Sequence, residues 1–289
     1  MNKGKKEAEA ARRLRAWDHP ILATIRGVES LILKLVLTPA LIGAASLAGR
    51  RWGAAVGGWL VGIPFTSGPI ALFLALDHGA SFAASASVGM LLGTISQAIF
   101  CLAYSWSASR GVRWLASLGS GCVGFAASTV VLHLLSVPLI AASLATLLAL
   151  VVVLLLVPHT PEKSDESQSP ATLPRWDIPA RMVLATVFVV LLTTVAPVLG
   201  PYLSGLLSPF PLFGAVLVVF VHRSEGAASA MKLLRGLLFG LFAPAGFFVA
   251  LSALIEPLGI GLGFAAASAT ALVVQGLTLL MLRPGTLSG

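Results

Sequence analysis

The chain has 289 residues, of which 57% are hydrophobic and only 10% charged, and its mean hydropathy is +0.95. Soluble domains carry about a quarter charged residues. Several apolar runs exceed the roughly 18 residues that mark a membrane-spanning helix, and none shows the short alternating segments of a membrane β-barrel. The composition therefore excludes a soluble domain and predicts an all-α, polytopic membrane protein.

The net charge of +8 does not indicate a nucleic-acid partner. Most basic residues lie in short loops beside apolar runs, where the excess of Lys and Arg on the cytoplasmic side of membranes accounts for them. A basic tail, residues 1–29, either contacts anionic lipid or is simply solvated. We expect an integral protein of the bacterial cytoplasmic (inner) membrane, with the lipid bilayer as a partner, no nucleic acid, and a homodimer left open.

The apolar pattern predicts nine candidate spans. They are residues 30–49, 54–76, 81–106, 112–135, 139–157, 179–198, 200–222, 227–253 and 257–282. The number is nine to ten, because one long apolar stretch was divided at residues 136–138 to fit single crossings. The spans form a first repeat (30–135), a connector helix (136–157), a polar linker rich in Pro and Ser (158–178) and a second repeat (179–289).

Two of the apolar runs are interrupted at their centres. The first contains Pro64-Phe65-Thr66-Ser67-Gly68-Pro69, and the second contains Ser208-Pro209-Phe210-Pro211. A hydroxyl residue followed by proline is typical of a helix start, so half-helices are predicted to begin at Thr66 or Ser67 and at Ser208. The alternative is a pair of proline kinks whose hydroxyls bond to the preceding turn.

The two halves of the chain can be aligned with each other in two registers, separated by an insertion of four in the second copy. The first register pairs Trp59 with Tyr202, Leu60 with Leu203 and Gly62 with Gly205. The second, named here the Gly79/Gly226 register, gives the pairs Gly79/Gly226, Ala80/Ala227, Gly89/Gly236, Leu91/Leu238, Gly93/Gly240, Ala98/Ala245 and Phe100/Phe247. Equivalent spans are five crossings apart, so the two copies would have opposite orientations. Inverted repeats with discontinuous helices are the architecture of many secondary transporters.

The charged loops conflict with nine crossings. With that number, the loop cations fall on one side, which should be cytoplasmic, and the basic tail would then be outside. The cations concerned are Arg50, Arg51, Arg110, Arg113, Lys163, Arg175, Arg223 and Arg283. We therefore expect a cytoplasmic N-terminus and an error of one in the number of spans.

Two half-helix N-termini that enter from opposite faces would direct free N–H groups and positive dipole ends at one central point. A small solute, an anion rather than a cation, is the predicted ligand. Gln97 joins the site because it lies where the second half has Pro244. The candidate substrate-binding residues are Pro64, Thr66, Ser67, Gly68, Gln97, Ser208, Pro209 and Pro211. Candidates for coupling or for a vestibule are His78, His222, Lys232 and Arg235, with interfacial anchoring as the alternative.

Enzyme signatures are absent from the sequence. It has no His-x-x-x-His metal pair, no phosphate-binding loop and no Gly-x-Ser-x-Gly elbow, so we expect no catalytic activity, no metal and no cofactor. A channel would need a continuous polar lining, which the spans lack. The sequence predicts a secondary transporter for a small anionic solute, and the alternative is a non-transporting membrane subunit or assembly factor.

Overall fold

The structure, a computed structural model, describes residues 29–44, 47, 64, 66–135, 137–158 and 177–282. It is 91% helical and has no strand within these ranges. The predicted all-α class is therefore confirmed. The basic tail, most of the polar linker and the first part of the predicted second span lie outside the described residues.

The helices are numbered here in chain order, and two of them contain a bend. They are α1 (29–44), α2 (Ser67–His78), α3 (Ala80–Ser109), α4 (Trp114–His133), α5 (Leu139–Leu156), α6 (Asp177–Leu207), α7 (Leu212–Ser224), α8 (Ala227–Gly240) and α9 (Phe242–Leu282). The backbone leaves the helical conformation at Gly200 within α6 and at Gly259 within α9.

Five helical stretches in the described part of the chain are long and apolar enough to cross a membrane. These are Ala80–Ser109, Trp114–His133, Leu139–Leu156, Ile178–Leu207 and Ala227–Thr278. The chain is thus an integral membrane protein. The predicted number of nine to ten is larger, because it includes the shorter helices α1, α2 and α7 and divides the last stretch near Gly259.

Helix α3 lies at the centre of the bundle. In its most apolar window 72% of the residues are buried, compared with 22% for α4 and for α5. It packs against α2, α4, α5, α6, α8 and α9. By contrast, α4 and α5 expose large apolar side chains such as Val131 and Leu148, which is expected where a helix faces lipid.

Glycines allow α3 and α6 to touch through their backbones. A Cβ atom on Gly89 would lie 3.1 Å from the Cα of Gly205, and one on Gly93 would lie 2.9 Å from the Cδ of Pro209. Small residues permit this close approach in membrane helices, where packing rather than a hydrophobic force drives association. The contact holds the end of α6, and the interruption that follows it, against the centre of α3.

Two helix-to-helix turns share one backbone conformation. Gly79, between α2 and α3, has φ 90° and ψ 172°, while Gly226, between α7 and α8, has φ 90° and ψ 179°. Residues with a side chain avoid positive φ, so each turn needs glycine. The two glycines are the pair that defines the Gly79/Gly226 register in the sequence.

Candidate functional site

A small cavity lies between the two interrupted segments. Pro64, Thr66 and Ser67 line it from the first half of the chain, and Pro209 and Pro211 line it from the second. Its volume is about 30 Å³, which is room for roughly two water molecules. Segments that are far apart in the sequence thus meet around one small cavity.

The N-termini of α2 and α7 both border this cavity, and they begin in the same way. The carbonyl of Pro64 accepts a hydrogen bond from the N–H of Gly68 at 2.8 Å, and the carbonyl of Pro211 accepts one from Ala215 at 2.6 Å. The Gly79/Gly226 register therefore already holds at the two prolines. No insertion in the second copy is therefore needed between Pro211 and Gly226, the positions equivalent to Pro64 and Gly79.

The predicted start of α2 at Ser67 is confirmed, whereas the predicted start of the second half-helix at Ser208 is wrong. Thr66 is the N-cap of α2 but makes no side-chain cap bond, and α7 begins at Leu212 after an N-cap at Pro211, not at Ser208. A residue before proline is kept out of the α conformation. Because Phe210 precedes Pro211, the helix can start only after that proline.

Helices α3 and α9 complete the cavity wall. Thr94 and Gln97 line it from α3, and Pro244 and Phe248 line it from α9. The hydroxyl of Thr94 donates to the carbonyl of Met90 at 3.0 Å, which leaves its oxygen lone pairs available as acceptors. Gln97 and Pro244, which the Gly79/Gly226 register pairs, are therefore on the same cavity.

Two serines next to the second interruption are fully buried. Ser204 and Ser208 have no exposed surface, and their hydroxyls have no hydrogen-bond partner among the described residues. Leaving a buried hydroxyl unpaired costs about 1–3 kcal/mol. Ser208 does not line the cavity itself but directly precedes Pro209, so its hydroxyl is close to the site without being part of its wall.

The other predicted residues lie elsewhere. Gly68 is one residue beyond the cavity lining, with Pro64 as its nearest neighbour. His78 is at the far end of α2, where its ring lies 4.7 Å from that of Phe82. His222 hydrogen-bonds the hydroxyl of Tyr104 at 3.0 Å.

The two basic candidates on α8 also lie away from the cavity. Lys232 is exposed and Arg235 is half-buried, and neither lines the cavity. Both lie on α8, which ends at Gly240. The cavity wall is reached only by the next residue, Leu241. The structure thus does not bring the coupling and vestibule candidates to the same place as the interrupted segments.

Sequence reasoning missed the aromatic part of the wall. Phe210, Phe213 and Phe248 all line the cavity. Phe210 stands between the prolines of the second interruption, which was a usable signal. Phe213 and Phe248 are ordinary apolar positions on helices, and only packing identifies them.

Two buried cations also occupy equivalent positions in the Gly79/Gly226 register. Lys34 is 8% exposed and its ammonium lies 2.6 Å from a carboxylate oxygen of Asp77, whereas Arg181 is 4% exposed and its guanidinium lies 4.7 Å from the ring centroid of Phe213. The position equivalent to Asp77 is Ser224. Phe213, which lines the cavity, is thus in contact with the charged side chain of Arg181.

No group of three or more His, Cys, Asp or Glu side chains is placed to hold a metal ion in the described ranges. Comparisons of the chain with protein-family models, curated proteins and solved structures gave no match. The chemistry of the cavity therefore has to be inferred from its own residues.

Proposed function

We propose that this protein is a secondary transporter, built of two inverted repeats in the bacterial cytoplasmic membrane, which binds a small anionic solute between its two interrupted helices. One observation carries the proposal: Pro64, Thr66 and Ser67 share a cavity with Pro209 and Pro211. In membranes, irregular backbone is tolerated where it is buried in protein or lines a cavity. Two independent kinks would have no reason to face each other.

Pairs in the Gly79/Gly226 register support the repeat. Pro64 and Pro211 accept equivalent hydrogen bonds, Gly79 and Gly226 share one backbone conformation, and Lys34 and Arg181 are both buried cations. In the proposed topology the interrupted segment before α3 is equivalent to the interrupted segment before α8. Helix α5 is the connector that inverts the second copy, which gives nine crossings.

Three features favour an anion. Each helix dipole places positive charge at the N-terminus of α2 and of α7, where Gly68 and Leu212 already donate their N–H groups to the carbonyls of Pro64 and Phe210. The guanidinium of Arg181 lies 4.7 Å from the centroid of the Phe213 ring, which lines the cavity. Among the described residues, no Asp or Glu lines the cavity.

The polar side chains of the wall have distinct roles in this proposal. Ser67 is in the first turn of α2 and supplies a hydroxyl donor, while the amide of Gln97 supplies a second donor from α3. Thr66 and Thr94 add two more hydroxyl oxygens at the wall. The cavity is small enough to exclude most metabolites as it stands, so loading requires outward movement of the aromatic side chains of its wall.

The test begins with purified protein in detergent and four probes, sodium phosphate, sulfate, acetate and glutamate, with chloride as the control for ionic strength. A ligand that binds only the folded state raises the melting temperature, and saturation at 100 Kd adds about 2.7 kcal/mol of stability. We expect at least one of these probes to raise it. The bound anion is then followed as uptake into proteoliposomes.

Replacing Ser67 by alanine or Gln97 by leucine is expected to lower uptake about tenfold or more, because each change removes a hydrogen bond to a charged group worth roughly 1.5–3 kcal/mol. The matched control is Ser87→Ala on α3, whose buried hydroxyl donates to the carbonyl of Ala83 and does not line the cavity. Full uptake by both cavity variants, or no thermal response to any probe, would overturn the proposal in favour of a non-transporting membrane subunit.

A further inference from the structure

A second and much larger space lies between α4 and α6. It is an apolar groove of about 650 Å³, which is within the range of roughly 300–1,000 Å³ found for small-molecule sites. Its floor is buried, since Phe125 and Leu192 are each 4% exposed, whereas Val130 and Leu191 at its edge are 62% and 60% exposed. The groove therefore opens toward the lipid and leads into the protein.

Phe210 forms the partition between the groove and the polar cavity, because it lines both. Its ring lies 5.1 Å from that of Phe125, 6.2 Å from Phe188 and 6.4 Å from Phe100, measured between centroids. These partners come from α4, α6 and α3. Phe210 belongs to the short non-helical segment between α6 and α7, where it lies between Pro209 and Pro211.

A polar contact joins α4 to α3 at the floor of the groove. Thr129 lines the groove but is 4% exposed, and its hydroxyl donates to the hydroxyl of Ser96 at 3.1 Å. Ser96 precedes Gln97, which lines the polar cavity.

We infer that the transported solute is an amphiphilic anion, whose acidic head occupies the polar cavity while its alkyl chain lies in the groove between α4 and α6. This rests on the proposed function and names its substrate class. The polar cavity and the groove share one wall residue, so displacement of Phe210 would join them into a single site. An acidic head group with an attached alkyl chain fits such a joined site. A long-chain carboxylate is the simplest ligand of this kind.

Steric blocking tests the groove better than chain length does, because the bilayer is as apolar as the groove and transfer between them yields little free energy. Ala126 lines the groove, whereas its neighbour Ala127 is exposed and does not. Ala126→Trp therefore fills the groove, and Ala127→Trp is the matched control on the adjacent face of α4.

Two probes are used in proteoliposomes, acetate and a dodecanoate that carries a diazirine near its chain end. We expect light to attach the dodecanoate to residues of α4 and α6 in the wild type and in Ala127→Trp, with at least a tenfold loss in Ala126→Trp. Binding of acetate, which has no chain to place, should be equal in all three proteins. Ser67→Ala should weaken the binding of both probes.

Labelling spread evenly over the lipid-facing helices and insensitive to Ala126→Trp would overturn the inference and leave the proposed function in place. Disulfide formation between two copies of a Leu191→Cys variant would overturn it as well, since a second copy would then cover the groove. The proposed function fails separately if Ser67→Ala leaves the binding of both probes unchanged.

Discussion

Replacing Gly93 by alanine is expected to destabilise the protein by about 1–3 kcal/mol, the usual cost of inserting an extra methyl group into tightly packed contacts. The new Cβ would lie 2.5 Å from the carbonyl oxygen of Leu206 and 2.9 Å from the Cδ of Pro209. The first of these is backbone and cannot rotate away. The end of α6 must therefore shift, and the second interruption shifts with it.

Two measurements follow for Gly93→Ala. The melting temperature in detergent should fall by several degrees, since about 2–4 °C corresponds to 1 kcal/mol in chains of this size. Binding of the anion should weaken as well, because Pro209 lines the cavity. Gly93→Val should be worse than alanine in both respects.

Gly119→Ala is the matched control, since Gly119 is an exposed helix-interior glycine with no described atom within 4 Å of the added Cβ. Alanine favours the helix by up to about 1 kcal/mol at such a position. This control should therefore keep or raise the melting temperature. Equal behaviour of the two alanine variants would contradict the close packing of α3 against α6.

Replacing Asp77 by asparagine is expected to have the second large effect. Its carboxylate accepts from the ammonium of Lys34 at 2.6 Å and from the hydroxyl of Ser30 at 2.7 Å, so it ties α1 to the end of α2. Removing one partner of a buried ion pair costs roughly 3–5 kcal/mol, because the other charge stays buried and uncompensated. Asp77 is exposed as a residue and its side chain is 22% exposed, so solvent screening lowers the expected loss to about 1–3 kcal/mol.

The loss of stability is measured as a fall in the melting temperature. A double variant then separates the effect of the charges from the effect of packing. Lys34→Met with Asp77→Asn removes both charges and should recover most of the stability, because a buried pair replaced as a whole is often neutral. Glu256→Gln removes an exposed carboxylate and should change little. A double variant as unstable as Asp77→Asn alone would show that the ion pair is not the cause.

Both variants bear on transport through different parts of the molecule. Gly93 lies beside the cavity, whereas the pair formed by Lys34 and Asp77 is at the opposite end of α2 from Ser67, about 15 Å away at 1.5 Å per residue. Loss of solute binding is thus expected for Gly93→Ala even in protein that remains folded. For Asp77→Asn we expect loss of stability first, with the cavity residues themselves in place.

Local patterns in the sequence were sufficient to locate the interruptions. Proline at positions 64, 209 and 211 marks these places, since it lacks an N–H and restricts the residue before it, whereas Pro69 is tolerated in the first turn of α2. The equivalence of Gly79 and Gly226 could also be predicted from the sequence, because a turn residue with positive φ has to be glycine. Such signals depend on the residue and its immediate neighbours, and so a single sequence shows them.

The start of α7 could not be predicted in this way, although that of α2 at Ser67 could. Serine, threonine and proline occur together both at helix starts and in kinks, and Ser208 belongs to the segment that ends α6, not to the start of α7. The aromatic wall was missed for a similar reason. Phe213 and Phe248 look like any apolar residues of a spanning helix until the facing helices are placed.

By itself, the sequence determined that this is a helical membrane protein, where its helices are interrupted, and which positions recur in the Gly79/Gly226 register. These follow from hydropathy, from the backbone limits of proline and glycine, and from identity between the halves. Only the tertiary structure decided that both interruptions face one cavity, that Phe210 lines both this cavity and an apolar groove, and that Arg181 packs against Phe213. Such facts depend on contacts between residues distant in the chain, which local residue preferences do not specify.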